Sequence, residues 1–165
     1  MKTLYTWLFA IFAQVSFAQN TIKADAETMG KALMSKDYSS FVSYTYPNIL
    51  KDMGGRDKMV ETVKKQMADL EAQGVKILSL SYGEPSAIIK EKKELQATLS
   101  QEMIFETAEG KVQAKSTLIA ISTDDGKHWY LVDPGERDLE TVRITLPNIS
   151  KNLVLPPNEP VKIIK

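Results

Sequence analysis

The hydrophobic period of this chain changes at Gly74. Before it, Met59, Val63, Met67 and Leu70 fall at spacings of three and four, one stripe of a helix over residues 56–73. After it, apolar residues recur at every second position, first over 75–82 and then at Leu95, Ala97, Leu99, Met103 and Phe105. Helices come first, and strands joined by short turns follow. They predict an α+β fold, with N-terminal helices packed on an antiparallel β-meander.

Upstream of the switch, Ile22, Ala26, Met29 and Leu33 make a second helical stripe, broken at Lys36-Asp37. Residues 38–45 (YSSFVSYT) predict a short helix capped by Asp37, whose carboxylate can accept an orphan backbone N–H. Pro47 disfavours helical geometry at Tyr46, so a break is expected there, with one or two further turns over 47–53. Gly54-Gly55 is a hinge, and Gly74 stands where a left-handed helix C-cap belongs. On the long helix, Glu61 and Lys65 have the spacing of a surface ion pair.

Strands are expected over 75–82, 87–92, 94–107, 111–122 and 127–133, separated by Gly83-Glu84-Pro85, Glu91–Glu94, Ala108-Glu109-Gly110 and the STDDG turn. The EKKE run at 91–94 reads as an exposed loop or edge that discourages edge-to-edge pairing. Residues 117–121 and 129–132 are apolar at both parities, which predicts a sheet covered on both faces. Helices can cover one. The other falls to the C-terminal tail or to a second copy of the chain, as a homodimer through the outer sheet face. Residues 138–146 predict a short helix. Beyond it, Pro147, Pro156, Pro157 and Pro160 predict extended chain with little capacity for sheet pairing. Ile149, Leu153, Val154, Leu155, Val161 and Ile163 make that tail too apolar for a linker. It reads as a strap over the domain.

The opening residues MKTLYTWLFAIFAQVSFA have the charged start, short apolar run and small terminal residues of a secretory signal peptide, with cleavage expected after Ala18. The run is too short to span a bilayer. The expected organisation is therefore a signal peptide at 1–18, one α+β domain at 19–135, and a helix and extended strap at 136–165. The mature protein is expected in the periplasm or outside the cell. The chain has 21 basic and 21 acidic residues, giving no electrostatic reason to expect nucleic acid or an anionic membrane as partner. With no cysteine and one histidine, it offers no thiolate nucleophile and no thiolate or polyhistidine zinc site. It also lacks the glycine-rich phosphate loops and the acidic loop of a calcium site. Neither a metal nor a cofactor is expected.

The single histidine lies in Ser122-Thr-Asp-Asp-Gly-Lys-His-Trp129. This stretch resembles the Asp-box of sialidase-type β-propellers, but a propeller needs one per blade and only one copy is present. Each residue has a role in a turn. Ser122 ends a strand, Asp124 can accept backbone N–H groups, Gly126 tolerates positive φ, and Trp129 starts the return strand and is expected to fold over the turn. His128 is expected to be a turn residue.

The order of elements, with KDYSSFVSYTYP (36–47), GG (54–55), GEP (83–85) and DDGKHWYLVD (124–133), resembles the nuclear transport factor two-like superfamily. That group includes ketosteroid isomerase and the SnoaL-like cyclases. The resemblance covers roughly 22–133. It implies a cone-shaped α+β barrel whose helices close over a ligand pocket. Candidate pocket residues are Tyr38, Tyr44, Tyr46, Met103, Phe105, Trp129 and Asp133. Catalysis of the isomerase kind needs a tuned carboxylic acid facing an oxyanion donor. No strand acid maps onto that role: Glu102 and Glu106 point away from Met103 and Phe105, and Asp133 precedes a Pro134-Gly135 turn. No catalytic residue is therefore assigned. The expected function is an exported, non-catalytic module binding a small apolar ligand or a protein partner. The alternative is a SnoaL-like isomerase, dehydratase or cyclase acting on a hydrophobic carbonyl compound.

Overall fold

A computed structural model describes the backbone of residues 4–164 and the side chains of residues 19–164. It is a mixed α+β structure of five helices and a six-stranded antiparallel sheet. Four helices come first: α1 (Leu4–Met34), α2 (Tyr38–Val42), α3 (Pro47–Asp52) and α4 (Arg56–Ala72). The strands are β1 (Lys76–Tyr82), β2 (Ile89–Glu91), β3 (Glu94–Thr107), β4 (Gly110–Ser122), β5 (Tyr130–Val132) and β6 (Glu159–Ile164), with α5 (Leu139–Thr145) between the last two. The signal-peptide expectation concerns residues 1–18, whose side chains lie outside the described residues. Among the described residues no helix is long and apolar enough to cross a membrane.

Local signals account for most boundaries. Asp37 caps α2 by accepting from the Ser40 N–H at 3.0 Å. Pro47 takes the first turn of α3, where its missing N–H costs nothing. Gly74, at φ 78°, closes α4. Asp138 caps α5 through the Thr141 N–H at 2.8 Å.

The sheet is more than a plain meander. Its order is β1-β3-β4-β5, with β2 also on β3 and β6 also on β4. The two longest strands therefore form a central ribbon, running from Leu95↔Ser122 to Thr107↔Gly110. Shorter strands pair with different halves of its two edges.

One face of this ribbon carries Ala97, Leu99, Leu118 and Ala120, packed with Trp129 and Leu131 against Ile22, Ala26 and Met29 of α1. The other face carries Ile119, Ile121 and Val132, packed against Val142 of α5, its C-cap Leu146, Ile149 and Leu153. Both covers come from the same chain, and this explains why residues 117–121 are apolar at both parities. The tail helps to satisfy buried polar groups too. The Gln96 amide donates to the Asn148 carbonyl and accepts from the Ser150 N–H, both at 2.9 Å.

Several expectations need correction. The helix expected over 38–45 ends at Val42, so Tyr44 lies in a turn and Tyr46 is the N-cap of α3. The strand expected over 127–133 shrinks to Tyr130–Val132, because Asp124 holds the Lys127 and His128 N–H groups inside the turn. The tail, expected to pair little, forms β6, in which Pro160 occupies an edge strand that tolerates a missing donor. Lys65 pairs with Asp69 rather than Glu61. Glu94, read as part of an exposed run, is buried at 6% exposure.

Candidate functional site

A cavity of about 390 Å³ lies between the helices and the helix-facing side of the sheet. Its wall is mainly apolar. Met29 and Leu33 come from α1, Phe41 from α2, Met59 from α4, Met103 from β3 and Leu118 from β4. Register explains the choice of strand residues. Leu80 pairs with Met103 and Tyr82 with Gln101, so alternate residues of β1 and β3 share this face. Farther along the ribbon the same parity is filled by α1, through Ala97 and Leu99.

A few polar groups interrupt the wall. Tyr82 reaches it from β1, and its hydroxyl is buried with no hydrogen-bond partner among the described residues. Burial pushes that phenol up to about 12, so it remains a donor. The ring rests on α1 where Gly30 has no side chain; a Cβ there would come within 2.7 Å of the Tyr82 oxygen. Gln101, from β3, is buried. Asp133 and Arg137 stand at the end of β5 and in the following loop. The Asp133 carboxylate accepts the Gly135 N–H at 2.8 Å, the local turn bond its position suggests. The Arg137 Nε donates to the Pro134 carbonyl at 2.7 Å.

Of the residues singled out from sequence, Met103 and Asp133 line this cavity. The others do not. Tyr38 is half-buried at the start of α2. Tyr44 packs against the α1 core with its ring 5.2 Å from that of His128, and its carbonyl accepts the Leu131 N–H. Tyr46 belongs to the core on the opposite sheet face. Phe105 lies half-buried, farther along β3 toward the β3–β4 turn. Trp129, expected to fold over its own turn, is wholly buried against α1.

Tyr46 does meet a carboxylate, on the tail side. Its hydroxyl donates to Glu94 at 2.7 Å, and the other Glu94 oxygen accepts from Gln96 at 2.9 Å. Burial, then the Glu94 carboxylate, push the Tyr46 phenol up to about 12. The void beside this pair is about 10 Å³, room for about one water molecule. The pair therefore ties β3 to α3 and the tail, and has no space for a substrate.

The STDDGKHW stretch is a hydrogen-bonded turn fastened to α1. The Ser122 hydroxyl donates to Asp124 at 2.7 Å and accepts the Gly126 N–H at 2.9 Å. Gly126 takes φ 86° and Asp125 φ 60°. Trp129 donates its backbone N–H to Asp25 at 2.8 Å and its indole N–H to Thr21 at 3.0 Å. His128 Nδ1 stands 3.7 Å from the same Asp25, with its ring edge-on to Tyr130. These partners surround His128 with structural contacts, away from the cavity.

Asp25 gives a pH signature. Its desolvation raises its carboxyl pKa, while the Trp129 N–H and His128 pull it back and Asp124 adds a smaller upward push. A carboxyl with a native pKa above its unfolded value binds its proton more tightly in the folded chain. Its contribution to stability therefore falls as pH rises from 3.8 toward the native value, and is constant above it. Asp25→Asn keeps an acceptor for Trp129 and removes the titration. Urea midpoints measured across that acid window are expected to have a less negative pH slope in the variant than in the parent; equal slopes would contradict this.

A second depression, of about 550 Å³, lies at the β1 edge and the tail-facing side. It is lined by Ser81, Ser100, Thr117 and the Pro156-Pro157 pair, and its Lys115 sits between Glu102 at 3.7 Å and Glu159 at 3.6 Å. That cation is already compensated, and the groove offers less apolar enclosure than the helix-side cavity.

No protein-family model matches the chain, and no curated protein matches it. Among solved structures, the chain is similar to a protein from Catenulispora acidiphila at a TM-score of 0.43 and 15% identity, covering 82% of this chain and 96% of that one. It is also similar to a structure from the same organism in complex with S-DNPA, at a TM-score of 0.40 and 16% identity, covering 75% of this chain and 88% of that one.

Proposed function

We propose that this protein is an exported, non-catalytic binding module that holds a small apolar molecule between its N-terminal helices and its sheet. In this reading the sheet curves into the cone of the nuclear transport factor two-like superfamily. Residues 136–165 act as a strap that closes the far face and leaves the helix side free for ligand. The observation that carries the reading is the cavity itself. At about 390 Å³ it falls within the roughly 300–1,000 Å³ usual for small-molecule sites. Its wall is largely Met, Leu and Phe, with a few fixed polar groups. Three methionines, Met29, Met59 and Met103, make it deformable enough to fit more than one apolar shape.

The alternative, a SnoaL-like isomerase, dehydratase or cyclase, would draw on Asp133 and Tyr82, the carboxylate and the phenol in that wall. Against it, one Asp133 oxygen is committed to the Gly135 N–H, and Asp133 is exposed. A general acid needs the opposite surroundings.

Met103→Trp tests the reading by filling the cavity, with Met103→Leu as the volume-conserving control. The parent and the Leu variant are expected to bind the neutral apolar dye Nile red saturably. The Trp variant should lose most of that binding at unchanged far-UV circular dichroism. Equal binding by all three would place the dye elsewhere and defeat the proposal.

A further inference from the structure

We infer that the ligand of this cavity is an amphiphilic monocarboxylate, with its apolar body among the methionines and its carboxylate against Arg137. The inference rests on the binding reading above and adds the chemical class of the ligand. Two charged side chains stand in the wall, Asp133 and Arg137. Asp133 is engaged by the turn N–H of Gly135 at 2.8 Å. Arg137 is exposed, like Asp133, but is fixed differently. Its Nε donates to the Pro134 carbonyl at 2.7 Å, and one terminal nitrogen reaches the Asp133 carbonyl at 3.5 Å. Both partners are neutral backbone oxygens. Among the described residues no carboxylate lies within ion-pair distance of Arg137, whereas Arg143 has Glu140 at 3.5 Å and Lys115 has two acidic neighbours.

A guanidinium held by its own loop and lacking a counter-charge is pre-organised for a carboxylate. Its planar fork matches the two oxygens, and the backbone bonds reduce the entropy lost on binding. The Gln101 amide in the same wall is neutral and reaches the Ser116 hydroxyl at 3.5 Å, which leaves Arg137 as the charged donor of the wall. A cationic amphiphile would meet Arg137 with like charge and would have to draw Asp133 from its turn. A neutral alcohol would fill the apolar part and leave Arg137 without a counter-charge.

Displacement of Nile red by three probes with the same ten-carbon chain separates these cases: decanoate, 1-decanol and decyltrimethylammonium, at mildly alkaline pH and low salt. Decanoate is expected to compete roughly tenfold better than decanol, the size of one charge-assisted hydrogen-bonded contact. The cation should be weakest, and the decanoate advantage should shrink as salt rises. Arg137→Gln should erase the advantage while leaving decanol affinity unchanged, and Arg137→Lys should retain part of it. If decanol and decanoate compete equally and Arg137→Gln changes neither, the carboxylate inference is overturned while the apolar-cavity reading stands. A preference for the cation would overturn it in favour of Asp133. If no probe displaces the dye, or if the dye does not bind, both readings fall together.

Discussion

Trp129→Ala is expected to lower the unfolding free energy by about 3–5 kcal/mol, the usual cost of removing a fully buried tryptophan. The indole is 0% exposed and sits in the core shared by α1, β3 and β4. Its loss opens a void at the centre of that core. It also strips the Thr21 hydroxyl of its indole donor. A urea midpoint far below the parent's, with an unchanged slope, is the expected readout. A conservative Trp129→Phe should recover much of the packing without the N–H, and so fall between parent and alanine. A loss below about 1 kcal/mol for Trp129→Ala would mean that the hairpin is not anchored to α1 through this residue.

Ile149→Ala is the second large effect, at about 2–5 kcal/mol. Ile149 follows α5 in a segment with little regular structure, yet it is 2% exposed and packs with Ile119, Ile121 and Val132. The value separates two ways of covering this sheet face. Where the chain covers itself, the loss is independent of protein concentration. Where a second copy did so, stability of the parent would rise with concentration and the variant would change that dependence. Chemical denaturation of parent and variant over a hundredfold concentration range is expected to give parallel, concentration-independent curves.

Much of the fold was legible because its elements obey simple periods. The bounds of β3 could be read directly, since Leu95 to Phe105 alternate and the turns at either end are marked by charged and glycine residues. The two-faced apolarity of residues 117–121 required a second cover, and α5 with Ile149 and Leu153 provides it. β6 was hidden by its proline, which a pairing edge strand can accommodate when its donor is not needed.

The site was less legible, for identifiable reasons. Met103 and Asp133 lie on strands or at a strand end, where parity sorts faces. Tyr44 and Tyr46 lie beyond the end of α2, where helical spacing no longer applies, and chain direction sends Tyr46 to the tail side. Tyr82 had a readable signal, its alternation with Leu80, but its importance comes from the bare Gly30 surface of α1 and from an unsatisfied hydroxyl. Arg137 sits in a loop without period; its place follows from two backbone carbonyls a few residues earlier. Glu94 looked like one charge in an exposed run, and only long-range contacts with Tyr46 and Asn148 bury it. Trp129 joined its own turn in sequence, but its partners Thr21 and Asp25 are more than a hundred residues away.

The methionines give the most direct test of ligand binding. Met29, Met59 and Met103 line the cavity, whereas Met34 and Met53 are 41% and 39% exposed and lie outside its wall. In a protein labelled with carbon-13 at the methionine methyl groups, titration with decanoate is expected to shift the signals of Met29, Met59 and Met103 along one saturable curve, leaving Met34 and Met53 in place. Shifts confined to the exposed methionines, or no saturable shift at any cavity methionine, would contradict the account.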